Sequence, residues 1–319
     1  MTSEDALLFV DANRYLELYR TATGRHLLAS LSEQTAHIFV TQQVVDEVKR
    51  RKIEVTARFL ISQFATLKFN TYTVPNHLFG KAEEHSKIIL TKMKEIGEQV
   101  EQVNKDLKRL AKDIMERVSQ SQDEVSTALT PIFATAVSHS EPELQRAKQR
   151  KERGQPPGKQ ASPIGDELTW EQILSRFVGR KKLWILTKDS DYGHFYDGKG
   201  FLNEFLYEEL RKVSPDAEAF LFGDVADGIK HFAAVTGVKA DKLPSREQME
   251  EIKTEENTLP PLDSPYQGRM YSRPFGNYLD LSFSSGPPLP LRAGAVISSG
   301  ETGLPWSQIT SHEPPKEGC

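Results

Sequence analysis

Four short apolar runs, each handing over at once to a helix or a turn, constrain this chain more than any other feature. Leu7 to Val10 is continuous rather than alternating, as expected of a strand covered on both faces, and RYLELYR after it carries helical spacing at Tyr15, Leu18 and Tyr19. Ile38 to Val40 ends at Thr41, a suitable N-cap for the next helix, and the pattern repeats at Leu183 to Leu186 and Ala219 to Phe222. Alternating strands and helices of this kind predict an α/β fold with a parallel sheet. Such a sheet gathers the carboxyl ends of its strands along one edge, where side chains far apart in sequence can meet.

Four carboxylates stand where those units turn. Asp11 ends LLFVD, Glu47 lies in TQQVVDEVKRR, Asp166 in SPIGDELTW, and Asp189 ends LWILTKD. Asp11 serves equally as a helix cap. Asn13, two residues on, could orient it, touch a phosphate or serve the first helical turn. Glu47 shares the stripe of Val44 and Val48 that faces the sheet, while Asp46 is rotated about 100° away; its other reading is a rim glutamate paired with Arg50 or Arg51. Asp166 shares a face with Trp170, Ile173, Leu174 and Phe177, and Glu167 could take its place if the helix starts one residue differently. Asp189 and Asp191 divide a ligand role and a turn role, with Asp189, nearer the strand end, preferred. Two carboxylates about 4 Å apart repel by roughly 4 kcal/mol at an effective dielectric near 20, so a converged set needs cations to remain ionised. Oxygen ligands without a Cys or His cluster favour Mg²⁺ or Mn²⁺ over zinc.

Composition excludes little. With 38% hydrophobic and 27% charged residues in 319, the chain reads as an ordinary globular protein. No apolar run approaches the roughly 20 residues that span a bilayer, and the acidic start MTSED is unlike a signal peptide, so a cytoplasmic protein without membrane contact is expected. Cys319 is the only cysteine, which leaves no intramolecular disulfide and no thiolate metal site. A net charge of -4 gives no global attraction to nucleic acid, so such a partner would need a local basic patch or metal.

The organisation expected is a first α/β part at 1–78, an inserted helical arm at 79–140, a second α/β part at 141–245 and a Pro/Gly/Ser-rich, mostly disordered tail at 246–319. Within the arm, Met93, Ile96, Val100, Val103, Leu107, Leu110 and Ile114 form a heptad seam that slips at Val118, predicting one long helix over about 80–120. Its partner is the segment around Val125, Leu129, Ile132 and Phe133 folding back, or a second subunit; the fold-back is preferred because so short a seam is marginal alone. In the tail, AVISS (295–299) is a weak strand signal. A basic loop at 146–159, RAKQRKERGQPPGK, offers Arg150, Lys151, Arg153 and Lys159 to a phosphate backbone, or is a solvated linker. GQPPGK is not a phosphate-binding P-loop, since its glycines are too close and Gln160 replaces the hydroxyl. Tyr192 and His194 read as packing residues or as rings that stack on a base.

The stretches VDANRYLELYR, QQVVDEVKRR, PPGK…IGDELTWEQIL and LTKDSDYG together resemble the PIN-like nuclease domain, in particular its larger bacterial members with a helical insertion, over about residues 5–235. That resemblance implies a parallel sheet between helices and a metal-dependent endoribonuclease acting on single-stranded RNA, with DNA as the other substrate, in a toxin or phage-defence setting. Asp11, Glu47, Asp166 and Asp189 match the family's acidic positions as catalytic metal ligands, with Asp191 as a further ligand. The arm and the tail match nothing in it; the arm offers a surface for a homodimer or a protein partner. Two alternatives stand beside this reading. One is a phosphatase of the haloacid dehalogenase type, which needs an aspartate two residues after Asp11 where this chain has Asn13. The other is a non-catalytic metal-binding scaffold acting through its arm.

Overall fold

The computed structural model describes residues 5–70, 83–158, 163–260 and 262. In chain order it builds β1 (Ala6–Val10), α1 (Ala12–Glu17), α2 (Arg25–Glu33), β2 (Ile38–Phe39), α3 (Gln42–Gln63), α4 (Glu83–Ser119), α5 (Glu124–Phe133) and α6 (Glu141–Glu152). Then follow α7 (Gly165–Phe177), β3 (Lys182–Leu186), β4 (Gly193–Tyr196), β5 (Lys199–Leu202), α8 (Glu204–Val213), β6 (Glu218–Phe222), α9 (Val225–Thr236) and α10 (Arg246–Thr258).

Strands β2, β1, β3 and β6 form one sheet in that order, every pair parallel. All four coincide with the apolar runs of the sequence. Leu8, Phe9, Val10 and every residue from Leu183 to Leu186 are fully buried, because helices cover both faces of the two central strands. Leu186 pairs with Val10, and the register continues one residue further, where Asp11 N–H donates to the Leu186 carbonyl at 3.0 Å. The ends of β1 and β3 therefore lie side by side at the carboxyl edge.

The long helix α4 forms over nearly the expected span, but its partner differs from the expected one. Residues of α5 do not fold back along the seam: Leu129 and Ile132 are fully buried in the core beside α2, and Ser126 bonds Tyr19 at 2.9 Å. Their apolar side chains bury more surface against the sheet layer than along one helix. Along α4 runs instead the extended segment after α3, with Leu67 receiving and giving backbone hydrogen bonds to the Asn104 amide, both at 2.9 Å. Ile96, Val103 and Leu110 remain exposed on the seam's other side.

Three further departures matter. The basic segment 146–152 is not a loop but part of α6, opened by a capping box between Ser140 and Glu143. The tail does not begin at 246: α10 occupies 246–258, opened by a capping box between Ser245 and Gln248, and it buries Ile252 and Glu256. The hairpin β4–β5 had not been anticipated; its turn is Asp197-Gly198, both at positive φ (49° and 73°), a pair suited to a two-residue turn. AVISS, Lys159 and Gln160 lie outside the described residues. Among the described residues no helix is long and apolar enough to cross a membrane.

Candidate active site

Asp11 leaves β1 at the sheet edge and does two things at once. Its Oδ1 accepts the Ala12 N–H at 2.7 Å, capping α1, while Oδ2 accepts the Thr187 hydroxyl at 2.6 Å and the Asn13 amide at 2.6 Å. Capping and a functional role are therefore not exclusive. Thr187, the residue that follows β3, uses its single proton on Asp11 and accepts from Asn13 (2.9 Å) and from the Asp189 N–H (2.9 Å). Sequence reasoning missed Thr187, because its partners Asp11 and Asn13 are distant in sequence and meet it only where β1 ends alongside β3. Asn13, offered as a phosphate contact, instead gives its amide to Asp11 and Thr187, and so fixes the carboxylate.

Asp189 accepts the Asp191 N–H at 3.0 Å in an aspartate turn, which places both acids after β3. Asp166 sits in the first turn of α7, behind Gly165. A Cβ at Gly165 would stand 2.6 Å from the Gln43 amide nitrogen, so the start of α7 lies against the first turn of α3 and a larger residue would displace the Gln43 side chain. Gln43 lies one turn before Glu47, so the approach sets the acids of the two helices near each other. Carboxylate oxygens of Asp166, Asp189 and Asp191 lie within 4.8 Å of one another. The register left open in the sequence resolves on Asp166: its neighbour Glu167 points inward, is 1% exposed and ion-pairs with Lys151 at 3.1 Å.

The electrostatics tie the remaining acids to this group. Burial, then the charges of Asp11, Asp189, Glu47 and Glu167, push the Asp166 carboxyl up to about 8. Burial likewise raises Asp11 to about 7, with Glu47 and Asp189 adding to the rise and the Thr187 hydrogen bond opposing it. Tyr192 is buried over the same cluster, and burial followed by the charges of Asp11, Asp166, Asp189 and Glu47 holds its hydroxyl well above the ordinary phenol range. Glu47 is half-buried and also meets Arg51 at 2.9 Å, so its rim pairing is present alongside its part in the cluster; Asp46 faces solvent as its helical position requires. These carboxylates cannot all be ionised near neutral pH without positive charge among them. A set of hard oxygen donors with that demand could hold a metal cation.

The basic residues divide. Arg150 points inward: it is 4% exposed, bonds Glu171 and Glu209 at 2.8 Å each and gives a further hydrogen bond to the Pro156 carbonyl. A guanidinium held on three sides by the protein cannot reach a phosphate backbone, so Arg150 is a structural residue and not a nucleic-acid contact. Lys151 holds Glu167, while Arg153 is exposed at the end of α6. Gly158, at φ 115°, approaches Glu167 so closely that a Cβ would stand 2.4 Å from its carboxylate, and this seats the loop before Lys159 over the start of α7.

A family model described as PIN like domain matches residues 7–191. No curated protein matches the chain, and no solved structure does.

Proposed function

This chain belongs to the PIN-like domain family, and on that premise we propose that it is a metal-dependent endonuclease that cleaves single-stranded RNA in preference to DNA. The observation that carries this reading is the cluster itself: Asp166, Asp189 and Asp191 within 4.8 Å, with Asp11 and Asp166 both raised by burial and by the charges of neighbouring acids, Glu47 and Asp189 among them.

Asp11, Glu47, Asp166, Asp189 and Asp191 are the residues that would hold Mg²⁺ or Mn²⁺. Such ions, when bound, supply an activated water and offset charge on the departing oxygen of an in-line displacement. The chain's own groups do the positioning. Thr187 and Asn13 fix Asp11, the aspartate turn fixes Asp189 against Asp191, and Gly165 brings Asp166 to α3. No side-chain nucleophile is required, and the products carry 5′-phosphate and 3′-hydroxyl ends. Of the basic residues offered to the phosphate backbone, Arg153 and Lys159 are left, and Lys151 precedes Arg153 by two residues in the chain. The arm α4, with Ile96, Val103 and Leu110 exposed, is the surface we assign to a second copy or a protein partner. A toxin or phage-defence setting fits such an activity.

Asn13 argues against a phosphatase with a general acid two residues after Asp11, because its amide is committed to Asp11 and Thr187. The test is cleavage of end-labelled single-stranded RNA and DNA by the purified chain with Mn²⁺, beside Asp11→Asn and Asp189→Asn. Cleavage lost in both folded variants supports the proposal; equal activity in either removes it.

A further inference from the structure

Two residues after Asp191 the chain enters the β4–β5 hairpin, whose two faces differ in a way the catalytic cluster does not require. The pairing sets His194 opposite Phe201 and Tyr196 opposite Lys199, so these four side chains share one face. That face is open to solvent: Tyr196 is 79% exposed and Phe201 49%. Lys199 reaches over the Phe201 ring, with Nζ 5.3 Å from its centroid.

The opposite face is anchored. Gly193 and Gly200 press against the end of β6, where a Cβ on Gly200 would stand 2.2 Å from the Leu221 carbonyl oxygen and one on Gly193 3.0 Å from the Leu221 side chain. Phe195 touches Gly223 just beyond that strand and is itself 43% exposed, so the anchoring on this face rests on the two glycines. The hairpin is thus seated by its glycines on the carboxyl edge of the sheet, the edge that carries the acids, and Tyr192 joins its first strand to the acid cluster. A rigid mount that leaves two rings, an imidazole and a lysine facing outward beside a phosphodiester-cleaving site has the composition of a single-strand binding surface. Rings stack on bases of any sequence, and a nearby cation holds the backbone.

We propose that the outer face of this hairpin is a base-stacking platform on which Tyr196 and Phe201 hold unpaired bases of the strand whose phosphate enters the acidic edge. This rests on the nuclease reading above and names the side chains that hold its single strand, because bases within a duplex offer no free face to these rings. At about 3.3 Å per strand residue, Tyr196 lies within about 17 Å of Asp191, a span of a few nucleotides.

The test is fluorescence anisotropy of the full chain with labelled single-stranded RNA, with Ca²⁺ replacing the catalytic ion, together with Mn²⁺-dependent cleavage. Tyr196→Ala and Phe201→Ala are each expected to weaken binding about tenfold, corresponding to roughly 1.4 kcal/mol of stacking, with melting temperature unchanged because both rings are exposed. Tyr196→Phe keeps the affinity, abasic sites in the oligonucleotide reproduce the loss, and the cleavage defect lies in KM rather than kcat. If wild-type protein binds and cleaves while both alanine variants bind equally well, the platform is overturned and the nuclease reading stands. If RNA binds through the rings but is never cleaved, the platform stands and the nuclease reading falls. Dissociation of a wild-type dimer by the alanine variants would make the rings a subunit interface and overturn the platform, as would failure of the wild type to bind any single strand.

Discussion

Glu171 and Asp166 lie on the same helix, little more than one turn apart, yet their surroundings are opposite. At the α6–α7 interface Glu171 receives Arg146 at 2.7 Å and Arg150 at 2.8 Å, and Arg150 extends the network to Glu209. At the start of α7 Asp166 faces Asp11, Asp189 and Glu47, all of its own sign. Glu256 on α10 belongs with Glu171: burial raises its carboxyl, but Arg14 at 2.7 Å and Lys188 at 2.6 Å outweigh that and bring it below the usual range. The molecule has the means to neutralise buried carboxylates and uses them at the interface of α6 with α7 and under α10. At the carboxyl edge Asp11 and Asp166 are instead pushed up by burial and by acids of their own sign, and on the proposed function a bound cation offsets that charge.

The largest expected effect falls at the carboxyl edge. Asp189→Asn should lower the single-turnover cleavage rate on the order of 10³-fold while the fold survives; a loss under tenfold would place Asp189 with the structural acids. On the compensated side, Arg150→Ala should cost about 3 kcal/mol in urea unfolding, because it leaves Glu171 and Glu209 without their shared cation. In metal-free protein at pH 8, Asp11→Asn should do the reverse and raise the melting temperature. If both substitutions destabilise alike, the division between the two regions is wrong.

Asn13→Ala should reduce cleavage about 10- to 100-fold without loss of stability on the scale of Arg150→Ala, since the amide only orients Asp11. The pH dependence follows from the same pair of raised carboxyls. Below about pH 4 Asp11 and Asp166 are protonated in folded and unfolded chains alike. Above that the unfolded chain releases protons that the folded chain keeps up to about 7 and 8, so stability falls as pH rises through that window. A melting series without metal from pH 5 to 8.5 should show this decline, and Mn²⁺ should reverse it most at the alkaline end. A metal-free melting temperature that rises with pH would contradict the assignment. The smallest effect is expected for Arg153→Ala, a loss of RNA affinity of a few-fold that disappears as salt increases.

Much of this was legible before any coordinates. Continuous apolar runs gave the four parallel strands, because burial on both faces leaves a signature in composition alone. The helical period placed Glu47 inward and Asp46 outward, and strand ends located Asp11 and Asp189. What was not legible depended on partners distant in sequence. Arg150 reads as one more cation in a basic run until α7 and α8 supply Glu171 and Glu209. The fold-back expected of α5 failed because the local heptad pattern says nothing of how much more surface the core offers to Leu129 and Ile132. Thr187 is an unremarkable residue in LTKD; its role exists only because β1 ends alongside it. The hairpin and α10 did carry local signals, Asp197-Gly198 and the Ser245–Gln248 capping box, which were outweighed by the polar character around them.

Glu256 grips Arg14, from the helix that follows β1, and Lys188, from the link that follows β3. A helix contributed by residues 246–258 thereby staples together the two chain segments that deliver Asp11 and Asp189. The family match stops at residue 191, yet a fragment trimmed there would lose this staple, strand a guanidinium that is only 1% exposed, and lack β6 on the open flank of β3. The contacts that tie these segments together therefore extend through Thr258, well past residue 191.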